Sequence, residues 1–161
     1  MTVAAKIQAV SFDTLAMAAE AASAMSALFA EATAAVRVRV LKDGKIDNGL
    51  LEAEQHATHG LAWLATYVEG IRQMADYASR LTAEGRYGET EDLLVRIGVG
   101  EYLAQVFGGI PMSQGEFVRL GDLGLDATAM LARYGAALPA FQREGNTAAN
   151  RARLVEIMRA H

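Results

Sequence analysis

Between Leu50 and Leu81 the apolar residues fall into two stripes, and this pattern constrains the chain more than any other feature. Leu50, Ala57, Leu61, Leu64, Val68, Ile71, Ala75 and Leu81 form one, and Trp63, Tyr67, Met74 and Tyr77 the other, at mostly three- and four-residue steps. A helix that is apolar on two sides has to be covered by two neighbours. The segment is therefore the centre of a helical bundle or part of a subunit contact. Asp47 or Asn48 can cap it, and it is expected to run to about Thr82. Gly60 and Gly70 lie inside it. Each costs about 1 kcal/mol relative to Ala, which points to close packing at both.

The rest of the chain reads as helices of the same kind. A first helix is predicted from about Asp13 to Val40, with Leu15, Ala18, Ala22, Met25, Phe29, Ala32, Val36 and Val40 on one face. Asp13 or Thr14 caps it, and Lys42-Asp43-Gly44-Lys45 is a turn. A third helix starts near Glu89, after Gly85–Gly88, and ends at Gly108-Gly109. Its acidic first turn suits the helix dipole, and its core residues are expected to be Leu93, Leu94, Ile97, Leu103, Ala104 and Phe107. Gly98 and Gly100 make it locally weak. Ser113 and Glu116 have the spacing of a capping box, with Met112 and Phe117 as its hydrophobic staple. A short helical turn is therefore predicted from Ser113 to about Leu120, broken by Gly121–Gly124. A fifth helix covers about Asp126 to Arg143, kinked or split at Pro139. Its apolar points are Met130, Leu131, Tyr134, Leu138 and Phe141. A last helix covers about Ala148 to Arg159, with Leu154, Ile157 and Met158 facing in.

The expected fold is an all-α bundle of about five or six helices, two of them long and antiparallel, with no sheet. It forms one domain over residues 1–161, with residues 1–12 as a loosely ordered arm. At 161 residues the chain can bury roughly 70% of its unfolded surface. It has no Cys, which removes disulfides, thiolate metal sites and cysteine nucleophiles. A net charge of −4 argues against nucleic acid and anionic lipid as partners. The Ala-rich stretch from Leu15 to Val36 carries Glu20 and Glu31 and is too weakly apolar for a membrane span, and the N-terminus lacks the pattern of a signal peptide. The expected location is the cytoplasm.

Chemistry-bearing residues are few. Glu52, His56 and His59 share helical spacing that can hold a transition metal. No second ligand-bearing helix matches them, so a polar face is expected and no metal is assigned. Glu101, Tyr102 and Gln105 precede the double glycine; acid, phenol and amide together could bind a ligand, but the favoured reading is that they satisfy backbone groups at a corner made by Gly108, Gly109, Pro111, Ser113 and Glu116. Gly108-Gly109 lacks the Lys and Ser/Thr of a phosphate loop. Ser113 has no partnered His and reads as a cap, not a nucleophile. Arg151, Arg153 and Arg159 suit a helix C-terminus. The stripe of Trp63, Tyr67, Met74 and Tyr77 is either core or a docking interface, because such surfaces use large aromatics and Met.

Several stretches together resemble one family. They are His59-Gly60-Leu61-Ala62-Trp63-Leu64-Ala65-Thr66-Tyr67-Val68-Glu69, Gly100-Glu101-Tyr102-Leu103-Ala104-Gln105, Gly108-Gly109-Ile110-Pro111-Met112-Ser113-Gln114-Gly115-Glu116 and Asp122-Leu123-Gly124-Leu125, with Glu144-Gly145-Asn146-Thr147 and Arg151-Ala152-Arg153-Leu154-Val155 near the end. They resemble the N-terminal extension of the methylsuccinyl-CoA dehydrogenase group of acyl-CoA dehydrogenases, over roughly Val36 to Met158. The resemblance implies a parent flavoprotein of the ethylmalonyl-CoA pathway, using FAD to oxidise a branched dicarboxylic acyl-CoA to its enoyl-CoA. It implies that the FAD site and the catalytic carboxylate belong to a dehydrogenase body expected to begin where this chain stops, at His161. No catalytic or cofactor-binding residue is carried over, and the chain alone is expected to be catalytically silent.

Such dehydrogenases usually assemble as dimers of dimers. The expected role is therefore to pack on that body, in the same polypeptide or in trans, and to shape its assembly. The alternative is a free-standing helical homodimer or adaptor that docks through the aromatic and Met stripe.

Overall fold

The computed structural model describes residues 12–160. Of the N-terminal arm expected over residues 1–12, only Phe12 falls within them, and its ring meets Phe141 edge-on at 5.0 Å. Seven helices and two small hairpins follow.

Helix α1 (Thr14–Val40) begins where Asp13 accepts a hydrogen bond from the Ala16 amide at 3.1 Å. Its length and composition would let it cross a membrane. Ala18, Met25, Ala32 and Val36 on its apolar side are instead buried within the chain. Strands β1 (Leu41–Lys42) and β2 (Lys45–Ile46) then pair antiparallel. Asp43 and Gly44 between them have φ of 52° and 76°, the two positive values of a tight hairpin turn. The expected turn is real, but it closes strands, which corrects the expectation of no sheet.

Asp47 caps helix α2 (Asn48–Ala53) through the Leu50 amide at 3.0 Å. Helix α3 (Gln55–Ala83) follows. The single helix expected here is interrupted at Glu54, which leaves helical geometry and gives its carboxylate to Arg39. Leu50, expected in the core, is 38% exposed because α2 lies outside the bundle. Arg39 and Glu54 join the end of α1 to the start of α3. Helix-to-helix contact then continues along both, so they run antiparallel.

Helix α4 (Glu89–Gly108) has the predicted bounds, with Glu89, Glu91 and Asp92 in its first turn. Gly98 and Gly100 are not weak points but contact points. Met74 packs where Gly98 has no side chain, and a Cβ at Gly100 would lie 2.8 Å from the Phe141 carbonyl oxygen. Leu94, expected in the core, is 44% exposed, while Val95, Val99 and Val106 are buried.

The largest correction follows. Ser113 to Leu120 is not a helical turn but the second hairpin, strands β3 (Ile110–Ser113) and β4 (Glu116–Val118). Ile110 pairs with Val118 and Ser113 with Glu116, with an irregularity after Pro111. The Ser113 hydroxyl donates to the Glu116 carboxylate at 3.1 Å instead of capping a helix. Gly115, at φ 81°, provides the turn that a helix would forbid. Val118 fits over Gly60 of α3, whose missing side chain makes the room.

The fifth predicted helix is two: α5 (Ala127–Arg133) and α6 (Ala137–Glu144). The break is Gly135 at φ 79°. Pro139 sits in the first turn of α6, where its missing amide proton leaves no helical bond unmade. Helix α7 (Ala148–Ala160) starts where the Thr147 hydroxyl accepts from the Asn150 amide at 3.1 Å. It has no buried residue, so Leu154, Ile157 and Met158 do not enter the core as expected. The core lies between α1, α3, α4 and α6, with β3–β4 closing one side. Fully buried Leu28, Leu64, Ile71, Leu103 and Phe141 centre it, each contributing about 1.5–3 kcal/mol by leaving water.

Candidate interaction surface

The aromatic and Met stripe of α3 is divided between two environments. Tyr67 and Met74 lie against α4. The Tyr67 hydroxyl donates to the Gln105 side-chain oxygen, its ring stands 4.9 Å from that of Tyr102, and Met74 packs at Gly98. Burial first, then Tyr102 and Glu101, push the Tyr67 phenol above its usual range. Trp63 and Tyr77 are half-buried, and Trp63 donates its indole N–H to His59 at 3.0 Å.

Glu101 and Gln105 do not serve the corner near Gly108. Gln105 donates to Glu101 at 2.6 Å, and Asn146 donates to the other Glu101 oxygen at 2.5 Å. Arg151 in turn donates to the Asn146 side-chain oxygen at 2.6 Å. This relay runs from α3 through α4 to the start of α7. It lies beside Gly100 and Gly145, whose α-carbons pack so closely that a Cβ on Gly100 would stand 2.9 Å from the Gly145 Cα. The relay holds α7 in one direction. Arg153 adds an ion pair with Glu89 at 2.7 Å that lowers the Glu89 pKa. Two of the three C-terminal arginines are thus engaged within the chain.

The corner residues are brought together as a hairpin mouth. Gly109 takes φ 131°, and its amide donates back to the Gln105 carbonyl at 2.7 Å. Pro111, Ser113 and Glu116 are exposed. Pro111 is tolerated there because a two-stranded hairpin has an unpaired edge.

Glu52, His56 and His59 are not gathered. Glu52 is on α2, His59 accepts from Trp63, and His56 lies 3.5 Å from both Glu116 and Asp122, one on each ring nitrogen. Among the described residues no group of three such side chains could hold a metal. His56 instead links α3 to β4 and to the turn that follows.

What the stripe reading missed is the segment from Leu41 to Ala53. None of its residues is buried, and Ile46, Leu50 and Leu51 are exposed, with Val38 just before it. The signal was present in the sequence: four large apolar residues, Leu41, Ile46, Leu50 and Leu51, in a stretch otherwise made mostly of charged, turn and cap residues. Beside it lies a cleft of about 450 Å³ lined by Val36, Val40, Leu41, Ile46 and Leu61, with Thr33, Arg37, Gly44 and Thr58 completing it. The Thr33 and Thr58 hydroxyls donate to the Phe29 and Glu54 carbonyls at 2.8 and 3.1 Å, so both side chains satisfy their polar atoms locally.

No protein-family model matches the chain. It is similar to the (2S)-methylsuccinyl-CoA dehydrogenase of Cereibacter sphaeroides, 50% identical over 147 residues that make up 91% of this chain. The chain is homologous to part of a methylsuccinyl-CoA dehydrogenase. It spans 26% of that relative's length.

Gly108 and Gly109, the pair able to approach a phosphate closely, lead into strand β3 rather than a helix. No fan of helix N-terminal amides therefore faces outward at that point.

Proposed function

We propose that this chain is the non-catalytic N-terminal helical domain of an acyl-CoA dehydrogenase of the methylsuccinyl-CoA dehydrogenase type, acting in the cytoplasm. It packs on the FAD-bearing body and shapes the oligomeric assembly of the enzyme. The observation that carries this reading is the match itself: 50% identity across 91% of the chain but only 26% of the relative. Similarity of that kind fits a domain with one role inside a larger protein.

The internal chemistry supports a structural role. Glu101 is tied to Gln105 and Asn146. Glu31 is held by Tyr134 and Arg133, which lower its pKa in that order and fasten α1 to α5. These carboxylates brace helices against one another.

The test is sedimentation of the intact enzyme beside a variant lacking this domain. The proposal expects both to retain flavin, with a different assembly state or a lower melting temperature in the truncated form. Identical assembly and identical thermal stability would refute it. The adaptor reading then gains if the isolated chain forms a stable homodimer.

A further inference from the structure

The segment Leu41–Ala53 is ordered by local backbone chemistry and not by burial. The positive-φ pair Asp43 and Gly44 closes its hairpin, and Asp47 caps its helix. Arg39 closes its base, bonding Glu54 on the far side of the segment and the Asp122 carbonyl at 2.7 Å. A two-stranded hairpin is marginal in water without something to pack on. Here it is pinned at the stem, while Ile46 remains 64% exposed beyond it.

Its two faces differ. Leu41 pairs with Ile46 and Lys42 with Lys45, so alternation puts the apolar pair on one side and two like charges opposite each other on the other. Like charges directly across a strand pair repel. Among the described residues none of the ion pairs involves Arg37, Lys42 or Lys45, although the chain as a whole carries −4. The lobe therefore combines uncovered apolar side chains with exposed charges of both signs, Lys42 and Lys45 beside Asp43 and Glu52. Its complement is an apolar patch with a mixed polar rim. Most of the homologous enzyme lies outside the region this chain matches, so such a surface has an available source.

We infer that the lobe Leu41–Ala53, together with the cleft beside it, is the face that docks on the dehydrogenase body, against an apolar patch that covers Ile46, Leu50 and Leu51. This rests on the proposed function and specifies its contact. The stripe on α3 is half used by α4, whereas the lobe contributes nothing to the chain's own core.

The test is hydrogen exchange on the intact polypeptide beside this chain alone. Peptides covering residues 41–53 are expected to exchange about tenfold more slowly in the intact enzyme. The intact Ile46→Asp/Leu51→Asp variant should lose that protection, while the same changes leave the melting temperature of the isolated chain unaltered. Protection confined to Trp63, Tyr77 or α7, with residues 41–53 unchanged, would overturn this inference and leave the proposed function standing. Equal exchange everywhere would overturn both.

Discussion

The two hairpins occupy opposite ends of one physical scale. In β3–β4, Ile110, Met112 and Val118 are buried, and Val118 fills the space left by Gly60. In β1–β2 no residue is buried, and the structure rests on the left-handed turn at Asp43–Gly44 and on Arg39 at its base. Hairpin β3–β4 is part of what holds the chain's fold together. Hairpin β1–β2 is carried by the fold and contributes little to it. An element that is well specified locally but adds nothing to its own core is suited to contact something else.

This difference can be broken or sharpened by substitution. The largest effect is expected from Ile110→Ala, which should destabilise the chain by about 3 kcal/mol and lower its melting temperature by roughly 10 °C. The equivalent Ile46→Ala in β1–β2 should stay within about 0.5 kcal/mol. Calorimetry of the two variants side by side checks both, and equal losses would erase the distinction.

Gly60→Ala comes next. A Cβ there would overlap Val118, so a cost of about 2 kcal/mol is expected. Adding Val118→Ala should lower the cost of Gly60→Ala in a double-mutant cycle, because it removes the nearest clash, with the Val118 Cγ2, and leaves the Val118 Cβ at 2.8 Å. A cycle with no coupling would mean that the hairpin does not sit on α3.

Gly44→Ala is expected to cost about 1 kcal/mol, because φ is 76° and a non-glycine residue is strained in that region. A Cβ there meets nothing within 4 Å, so the cost is conformational alone. Denaturant melts of this variant should show a lower midpoint with an unchanged slope.

The smallest effect lies on the outer face of α3. Hydrogen bonds from Arg72, then Gln73, hold the Glu69 carboxyl at about 2, below its ordinary 4.5. A lowered carboxylate stabilises the fold above pH 4.5, and that contribution disappears as the pH falls toward 2. The wild type should therefore lose slightly more stability than Glu69→Gln across that interval. The group is solvent-facing, so acid titration of the two proteins should separate them only modestly.

The same contrast explains what was legible in the sequence. Helical spacing located α1, α3 and α4, and residues such as Met25, Leu64, Ile71 and Leu103 fall in the core as their periodicity indicates. Strands of two to four residues are too short to show a period. The capping-box spacing at Ser113 and Glu116 was genuine, but Gly115 diverted it into a turn, because positive φ is open to glycine and closed to a helix. At the other break Gly135 interrupts the chain, while Pro139 is accommodated in a first turn.

The α3 stripe and the exposed lobe were harder to read. Tyr67 looks like interface and core alike until α4 is placed beside it. Ile46 and Leu51 carry no periodic signal, and Leu50 shares the spacing of a core stripe, so their exposure is settled only by the placement of the hairpin and α2 outside the bundle.

The most direct measurement is the mass of the native polypeptide in its source cells, detected with an antibody against this domain. The chain matches 26% of its relative. The account therefore predicts a band roughly four times heavier than the isolated chain, co-purifying with flavin. A band at the size of the isolated chain, with neither flavin nor a dehydrogenase body attached, would contradict it.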